Sequence, residues 1–94
     1  MALFRPAIPP RVAGAIRHLH PDLKRSVRQA IRALCADPAC GEPLQKELEG
    51  YWKYRVRRFR IVYAIDRPSR IIRIVAVGPR RTIYEQAADQ LRNN

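Results

Sequence analysis

The spacing of the apolar residues changes once along this chain, and that change limits what it can fold into. Leu23, Val27, Ala30, Ile31 and Leu34 recur at steps that keep one helix face apolar, with Lys24, Arg25, Arg28, Gln29 and Arg32 on the other. From Trp52 onward the step becomes two. Trp52, Tyr54 and Val56 alternate with Lys53, Arg55 and Arg57, and Phe59, Ile61, Tyr63 and Ile65 alternate with Arg60, Val62 and Ala64. A step of two sends alternate side chains to opposite faces of a pleated strand. Residues Ile71 to Val77 are nearly all apolar and β-branched, the pattern of a strand buried on both faces. Helical spacing followed by three consecutive strands defines an α+β domain.

Proline and glycine set the boundaries. Leu3-Phe4-Arg5 reads as a short strand that Pro6 confines to a sheet edge. Pro9-Pro10 opens a helix carrying Val12, Ile16 and Leu19, and His20-Pro21-Asp22 breaks it and opens a second, which Asp37-Pro38 ends. Residues 38–50 form a connector pinned by Leu44 and Leu48. Arg57-Arg58 and Asp66-Arg67-Pro68-Ser69 are turns, and Gly78-Pro79 stops the last strand. Ile83, Ala87 and Leu91 then give a C-terminal helix from Thr82. The predicted order is β-α-α-β-β-β-α in a single domain, residues 1–94. An antiparallel sheet carries a helical hairpin packed on one face, and the cationic side chains keep the other.

Charge narrows the function. With 19 Lys+Arg against 8 Asp+Glu the formal net charge is +11, while 47 % hydrophobic residues supply a core and argue against disorder. Sixteen of the bases are Arg, whose planar fork grips phosphate in two places. Ten bases and one acid, Asp66, fall within residues 51–81. Such a surface is built to meet a polyanion, most often nucleic acid. Strand alternation brings Lys53, Arg55, Arg60 and Arg80 into one patch, with Arg57, Arg58, Arg73 and Arg81 as further RNA-binding candidates. Trp52, Tyr54 and Tyr63 read as core rings; Tyr84, in the polar run Arg-Arg-Thr-Ile-Tyr-Glu, is the ring a core needs least.

Other chemistries find little support. Cys35 and Cys40 lack the companions of a zinc site and read as reduced, structural thiols, so no metal site is expected. His18 and His20 sit in the helix–helix link, Ser26 and Ser69 have no His partner, and Walker and Rossmann glycine patterns are absent, so no cofactor is implied. No apolar run approaches a membrane span and the N-terminus lacks a signal-peptide pattern, so a cytoplasmic protein without membrane contact is expected. An enzyme built this way works with Arg, Lys and Tyr. RNA cleavage suits that set, because the substrate carries its own nucleophile, the 2′-hydroxyl, and needs its phosphate oriented and its developing charge stabilised.

The runs Gly41-Glu-Pro-Leu-Gln-Lys-Glu-Leu-Glu-Gly50, Tyr54-Arg-Val-Arg-Arg-Phe-Arg-Ile-Val-Tyr-Ala-Ile-Asp66 and Val77-Gly-Pro-Arg-Arg-Thr-Ile-Tyr84 together resemble the RelE/ParE superfamily of bacterial toxins, most closely its RelE branch. The resemblance implies a RelE-like toxin of a type II toxin–antitoxin system. Such a toxin is a ribosome-dependent mRNA endonuclease that cuts in the ribosomal A site without a metal and leaves a 2′,3′-cyclic phosphate. It implies a cognate antitoxin that blocks the toxin, with operator DNA reached only through that antitoxin. By the same resemblance Lys53, Arg55, Arg60, Arg80 and Tyr84 match the family's catalytic positions. Three departures stand out: Pro79 where many relatives carry His or Lys, Arg55 where a Lys acts as base, and Arg57-Arg58 in a turn where Gly is common. The last implies a longer or strained turn. The alternatives are a ParE-like inhibitor of DNA gyrase and an inactive RNA- or ribosome-binding relative.

Overall fold

A computed structural model describes residues 3–93. The elements are β1 (Arg5–Ala7), α1 (Pro10–Arg17), α2 (Pro21–Ala36), β2 (Glu42–Pro43), β3 (Trp52–Val56), β4 (Phe59–Asp66), β5 (Ile71–Pro79) and α3 (Ile83–Arg92), with single 3₁₀ turns at Pro38–Cys40 and Lys46–Leu48. The strands form one sheet in the order β1-β5-β4-β3-β2. The α+β class, the three helices and the β3-β4-β5 meander are as the sequence predicts. The sheet is mixed rather than wholly antiparallel, because β1 joins β5 in parallel, Arg5 opposite Ile71. β2, unforeseen within the connector, is two residues long and pairs Glu42 with Lys53.

Each helix starts where its chemistry allows. Pro10 and Pro21 occupy first helical positions, where a missing N–H costs nothing. The His20 ring caps α2 by accepting from the Asp22 N–H at 3.3 Å, and Asp22 places negative charge at the positive helix end. Val27, Ala30, Ile31, Leu34 and Cys35 of α2 then join Val12 and Ile16 of α1 against Val56, Ile61, Tyr63, Ile72 and Ile74 of the sheet. Each large side chain so buried contributes about 1.5–3 kcal/mol. Cys35 is part of this core, and burial pushes its thiol up.

The opposite face is not left to cations. Ile83 and Ala87 of α3 pack with Val62, Ala76 and Leu48 over it, joined by Leu44, Tyr51 and Tyr84. The end of that face nearest the β3–β4 turn keeps a cluster of cations, and at the far end Arg73 stands beside Asp66. The correction has a physical cause: Val62 and Ala76 present apolar surface that must be covered, and α3 is the remaining amphipathic element.

A β-bulge makes two covered faces compatible with one strand. Val62 pairs with Ala76 but Tyr63 pairs with Ile74, leaving Val75 as an extra residue. The inserted residue flips the phase of β5. Ile72 and Ile74 face the α1–α2 layer before it, and Val77 faces the same layer after it. The bulge also frees the Val75 carbonyl, which accepts from Arg11 Nη2 at 2.8 Å. β5 continues past the predicted stop to Pro79. Pro79 lies opposite Phe59, where the ladder needs no N–H from it; the next bond runs from Arg80 N to Arg58 O at 2.8 Å.

Candidate nucleic-acid interface

The β3–β4 hairpin decides where the arginines go. Val56 pairs with Phe59, so Arg57 and Arg58 alone make the turn. It is strained but not longer: Arg57 sits at φ 57°, the left-handed region that a two-residue turn ordinarily gives to glycine. Tight closure sets Arg55 directly opposite Arg60, and Arg60 opposite Gly78 on the other side. Directly paired residues share a face, so Arg55 and Arg60 project together, beside a glycine that presents no side chain.

A concave surface of about 640 Å³ results, lined by Arg55, Arg57, Arg58, Arg60, Arg80, Arg81 and Pro79. Among the described residues the ion pairs are Asp22–Arg25, Asp66–Arg73 and Asp89–Arg92, so no carboxylate pairs with any arginine of this cleft. Six guanidiniums crowded without counter-charge repel one another, and an anion relieves that repulsion.

Arg60 is the best held of the six and only 9 % exposed. Its Nη1 donates to the Phe59 carbonyl at 2.8 Å and to the Arg57 carbonyl at 3.1 Å. Both Nη1 hydrogens are thereby used. No buried side-chain nitrogen or oxygen among the described residues lacks a hydrogen-bond partner, so the unpartnered Nε and Nη2 of Arg60 retain solvent contact. That leaves one edge of the guanidinium, with parallel N–H donors, to take phosphate in two places.

Lys53 lies two residues before Arg55 on the same face, paired with Val62. Its Nζ stands 5.8 Å from the centroid of the Tyr84 ring, a cation–π contact that extends the site toward the start of α3. Tyr84 is half-buried over the α3-side core. The other rings are structural. Trp52 stacks on Tyr63 with centroids 6.3 Å apart, and the Tyr63 hydroxyl donates to the Pro38 carbonyl at 2.8 Å. Burial pushes the Tyr63 hydroxyl up to about 12.

Of the residues named from sequence, Arg55, Arg57, Arg58, Arg60, Arg80 and Arg81 come together, with Lys53 and Tyr84 beside them. Arg73 does not join them. It pairs with Ala64 at the far end of β4, and its Nη2 meets Asp66 Oδ2 at 3.2 Å. Sequence reasoning passed over the turn's main chain. The carbonyls of Arg57, Arg58 and Phe59 hold, in order, the Arg60 side chain, the Arg80 backbone and Arg60 again. The signal was an Arg-Arg pair where a tight turn prefers glycine.

A family model described as the ParE toxin of the type II toxin–antitoxin system parDE matches residues 12–84. The chain belongs to this family. It is therefore a toxin of a type II toxin–antitoxin system with the RelE/ParE fold. No curated protein matches it in sequence. Solved structures share the fold of this ParE-family chain at low identity. The toxin–antitoxin complex RelBE2 from Mycobacterium tuberculosis aligns with TM-score 0.76 at 24 % identity, over 85 % of this chain and 94 % of that one. A mutant of the E. coli toxin RelE in the free state aligns with TM-score 0.78 at 16 % identity, over 99 % and 97 %. A YoeB/ParE toxin from Agrobacterium tumefaciens aligns with TM-score 0.71 at 17 % identity, over 81 % and 98 %. Among the described residues, no helix of this ParE-family toxin is long and apolar enough to cross a membrane.

Proposed function

We propose that the toxin is a ribosome-dependent mRNA endonuclease that cuts in the ribosomal A site by metal-free attack of the 2′-hydroxyl, and that a cognate antitoxin neutralises it. The observation that carries this reading is the six-arginine cleft without a carboxylate, entered by one pre-set edge of Arg60. Arg60, Arg55 and Arg80 hold the scissile phosphate in line and stabilise the charge of its pentacovalent transition state. The unprotonated form of Lys53 takes the proton from the 2′-hydroxyl, and the Tyr84 hydroxyl gives its proton to the leaving 5′-oxygen. The 2′-oxygen–phosphorus bond forms as the phosphorus–5′-oxygen bond breaks, which leaves a 2′,3′-cyclic phosphate. Arg57, Arg58 and Arg81 contact flanking phosphates. Pro79 contributes shape alone, so the site runs without a histidine there.

A partner of acidic, partly disordered chain that folds on contact suits a +11 protein with this cleft. Three of the similar structures are described as toxin–antitoxin or RelE–RelB complexes. Operator DNA is reached through the antitoxin, and a ribosomal target places the toxin in the cytoplasm.

The ParE description of the matching family favours a second reading, inhibition of DNA gyrase without RNA cleavage. Induced expression of the toxin alone, with primer extension on a translated reporter mRNA, separates the two. Growth arrest with cuts inside codons, lost in Arg80→Ala and Tyr84→Ala, is the expected result. Arrest without cuts, together with inhibited supercoiling by purified gyrase, replaces it with the second reading. Absence of both effects leaves a binding protein that has lost activity.

A further inference from the structure

We infer that the strained β3–β4 turn is itself part of the site. The left-handed backbone of Arg57 aims a carbonyl that locks the Arg60 guanidinium, so Arg57 acts as a positioning residue through its main chain, separately from its side chain's contact with a flanking phosphate. The inference rests on reading the cleft as a phosphate site.

Three observations converge on it. Arg57 holds φ 57° although an L side chain resists that region. The turn persists because closure of the β3–β4 ladder from Val56 to Phe59 over-determines it. Its carbonyl then accepts from Arg60 Nη1, which also donates to the Phe59 carbonyl, so one nitrogen is pinned by two neighbouring acceptors. The carbonyl between them, that of Arg58, accepts from the Arg80 backbone N–H. Three successive carbonyls thus fix two of the arginines assigned to the phosphate.

The choice of acceptor matters chemically. A carboxylate would hold Arg60 equally well but would cancel its charge, as Asp66 does for Arg73. A carbonyl is neutral, so Arg60 keeps its full positive charge while losing its rotamer freedom before any ligand arrives. Freedom given up in advance is not lost again on binding, and fixed donors stabilise charge that develops later.

The test separates backbone from side chain at one position. Glycine and asparagine accept the left-handed region, whereas a β-branched valine does not. Arg57→Gly, Arg57→Asn and Arg57→Val all remove the same charge. Two readouts are taken on each full-length variant, after circular dichroism establishes that it is folded. The first is ¹⁵N NMR of the Arg60 guanidinium at low temperature, where a pinned Nη1 shows slowed rotation. The second is fluorescence anisotropy with a labelled single-stranded RNA carrying 2′-O-methyl groups, which binds without being cut.

Arg57→Gly and Arg57→Asn are expected to retain the slow Arg60 signal and to bind RNA within about threefold of the parent, as loss of one partly screened charge predicts. Arg57→Val is expected to lose that signal and bind at least about tenfold more weakly, the scale of one charge-assisted hydrogen bond. Adding Arg60→Ala to Arg57→Val is expected to weaken binding no further than Arg60→Ala alone, because the two act as a unit. Equal losses in all three variants, or additive losses in the double variant, overturn the inference. Slow Arg60 rotation that survives Arg57→Val overturns it as well. A parent that shows the pinned Arg60 signal, lost only in Arg57→Val, but binds no RNA upholds the lock and sinks the phosphate reading instead.

Discussion

The two ends of the β4–β5 ladder carry arginines on the same face of the same sheet and treat them in opposite ways. At the Asp66 end, Arg73 meets a carboxylate at 3.2 Å. Asp66 also accepts from the Ser69 N–H at 3.2 Å, and that bond, with help from Arg73, holds its carboxyl below the usual range. At the other end, Arg60 is held by main-chain carbonyls alone and five more arginines stand around it without an acid. Both turns are tight enough to force an arginine into the left-handed region, Arg70 at φ 56° and Arg57 at φ 57°. Strain therefore does not distinguish the two ends; the acceptor does. An arginine given a carboxylate has its charge offset, and one given a carbonyl keeps its charge for an anion.

The comparison is broken most severely by removing Arg60. Arg60→Ala is expected to lower single-turnover mRNA cleavage on programmed ribosomes by about 10²–10³-fold, the cost of losing one fixed donor to a developing anion. Arg73→Ala in the same assay is expected to stay within about twofold, since its pair is exposed and weak. Comparable losses in both would erase the distinction between the ends.

Between the two ends, stability rather than chemistry responds. A Cβ at Gly41 would come within 2.5 Å of the Lys53 carbonyl oxygen and also strike the Tyr63 hydroxyl, and the backbone oxygen has no room to retreat. Gly41→Ala is expected to cost about 1–3 kcal/mol or more in chemical denaturation. Tyr63→Phe is expected to cost about 1 kcal/mol at pH 7 by orphaning the Pro38 carbonyl. Its sign then changes with pH. The buried hydroxyl titrates near 12 in the folded chain, above its unfolded value of about 10, so the unfolded state loses this proton first and the parent loses stability as pH rises between them. Above about pH 11, where that loss exceeds the roughly 1 kcal/mol of the hydrogen bond, the Phe variant should become the more stable protein in urea titrations.

The smallest effect sharpens the Asp66 end. Its carboxyl is depressed on folding, so its contribution is present above the unfolded value of about 3.9 and is lost as pH falls through the lower, folded value. The stability difference between the parent and Asp66→Asn should be constant near neutrality and vanish in acid. A difference that persists at low pH would show that the turn, and not the charge, holds this end.

Much of this was open to reading along the chain. The α2 face from Leu23 to Leu34 and the bounds of β3 came from spacing alone, because helix and strand periods are local properties. The concentration of charge in residues 51–81 was equally plain. β2 escaped notice because two residues carry no period. The cover that α3 lays over Val62 and Ala76 escaped because alternation says which side chains share a face, not what packs there.

What the sequence by itself determined is the inventory: one α+β chain and a cationic hairpin rich in arginine. Only the tertiary structure decided which arginines meet. Arg73 looked equivalent to Arg60 in composition, yet register sends them to opposite ends of β4, one to Asp66 and the other to the turn. Register and the bulge at Val75 follow from pairing between strands distant in sequence, where inserting one residue reverses every side chain beyond it. Periodicity is written within a strand; partnership is settled between strands, by which faces must be buried together.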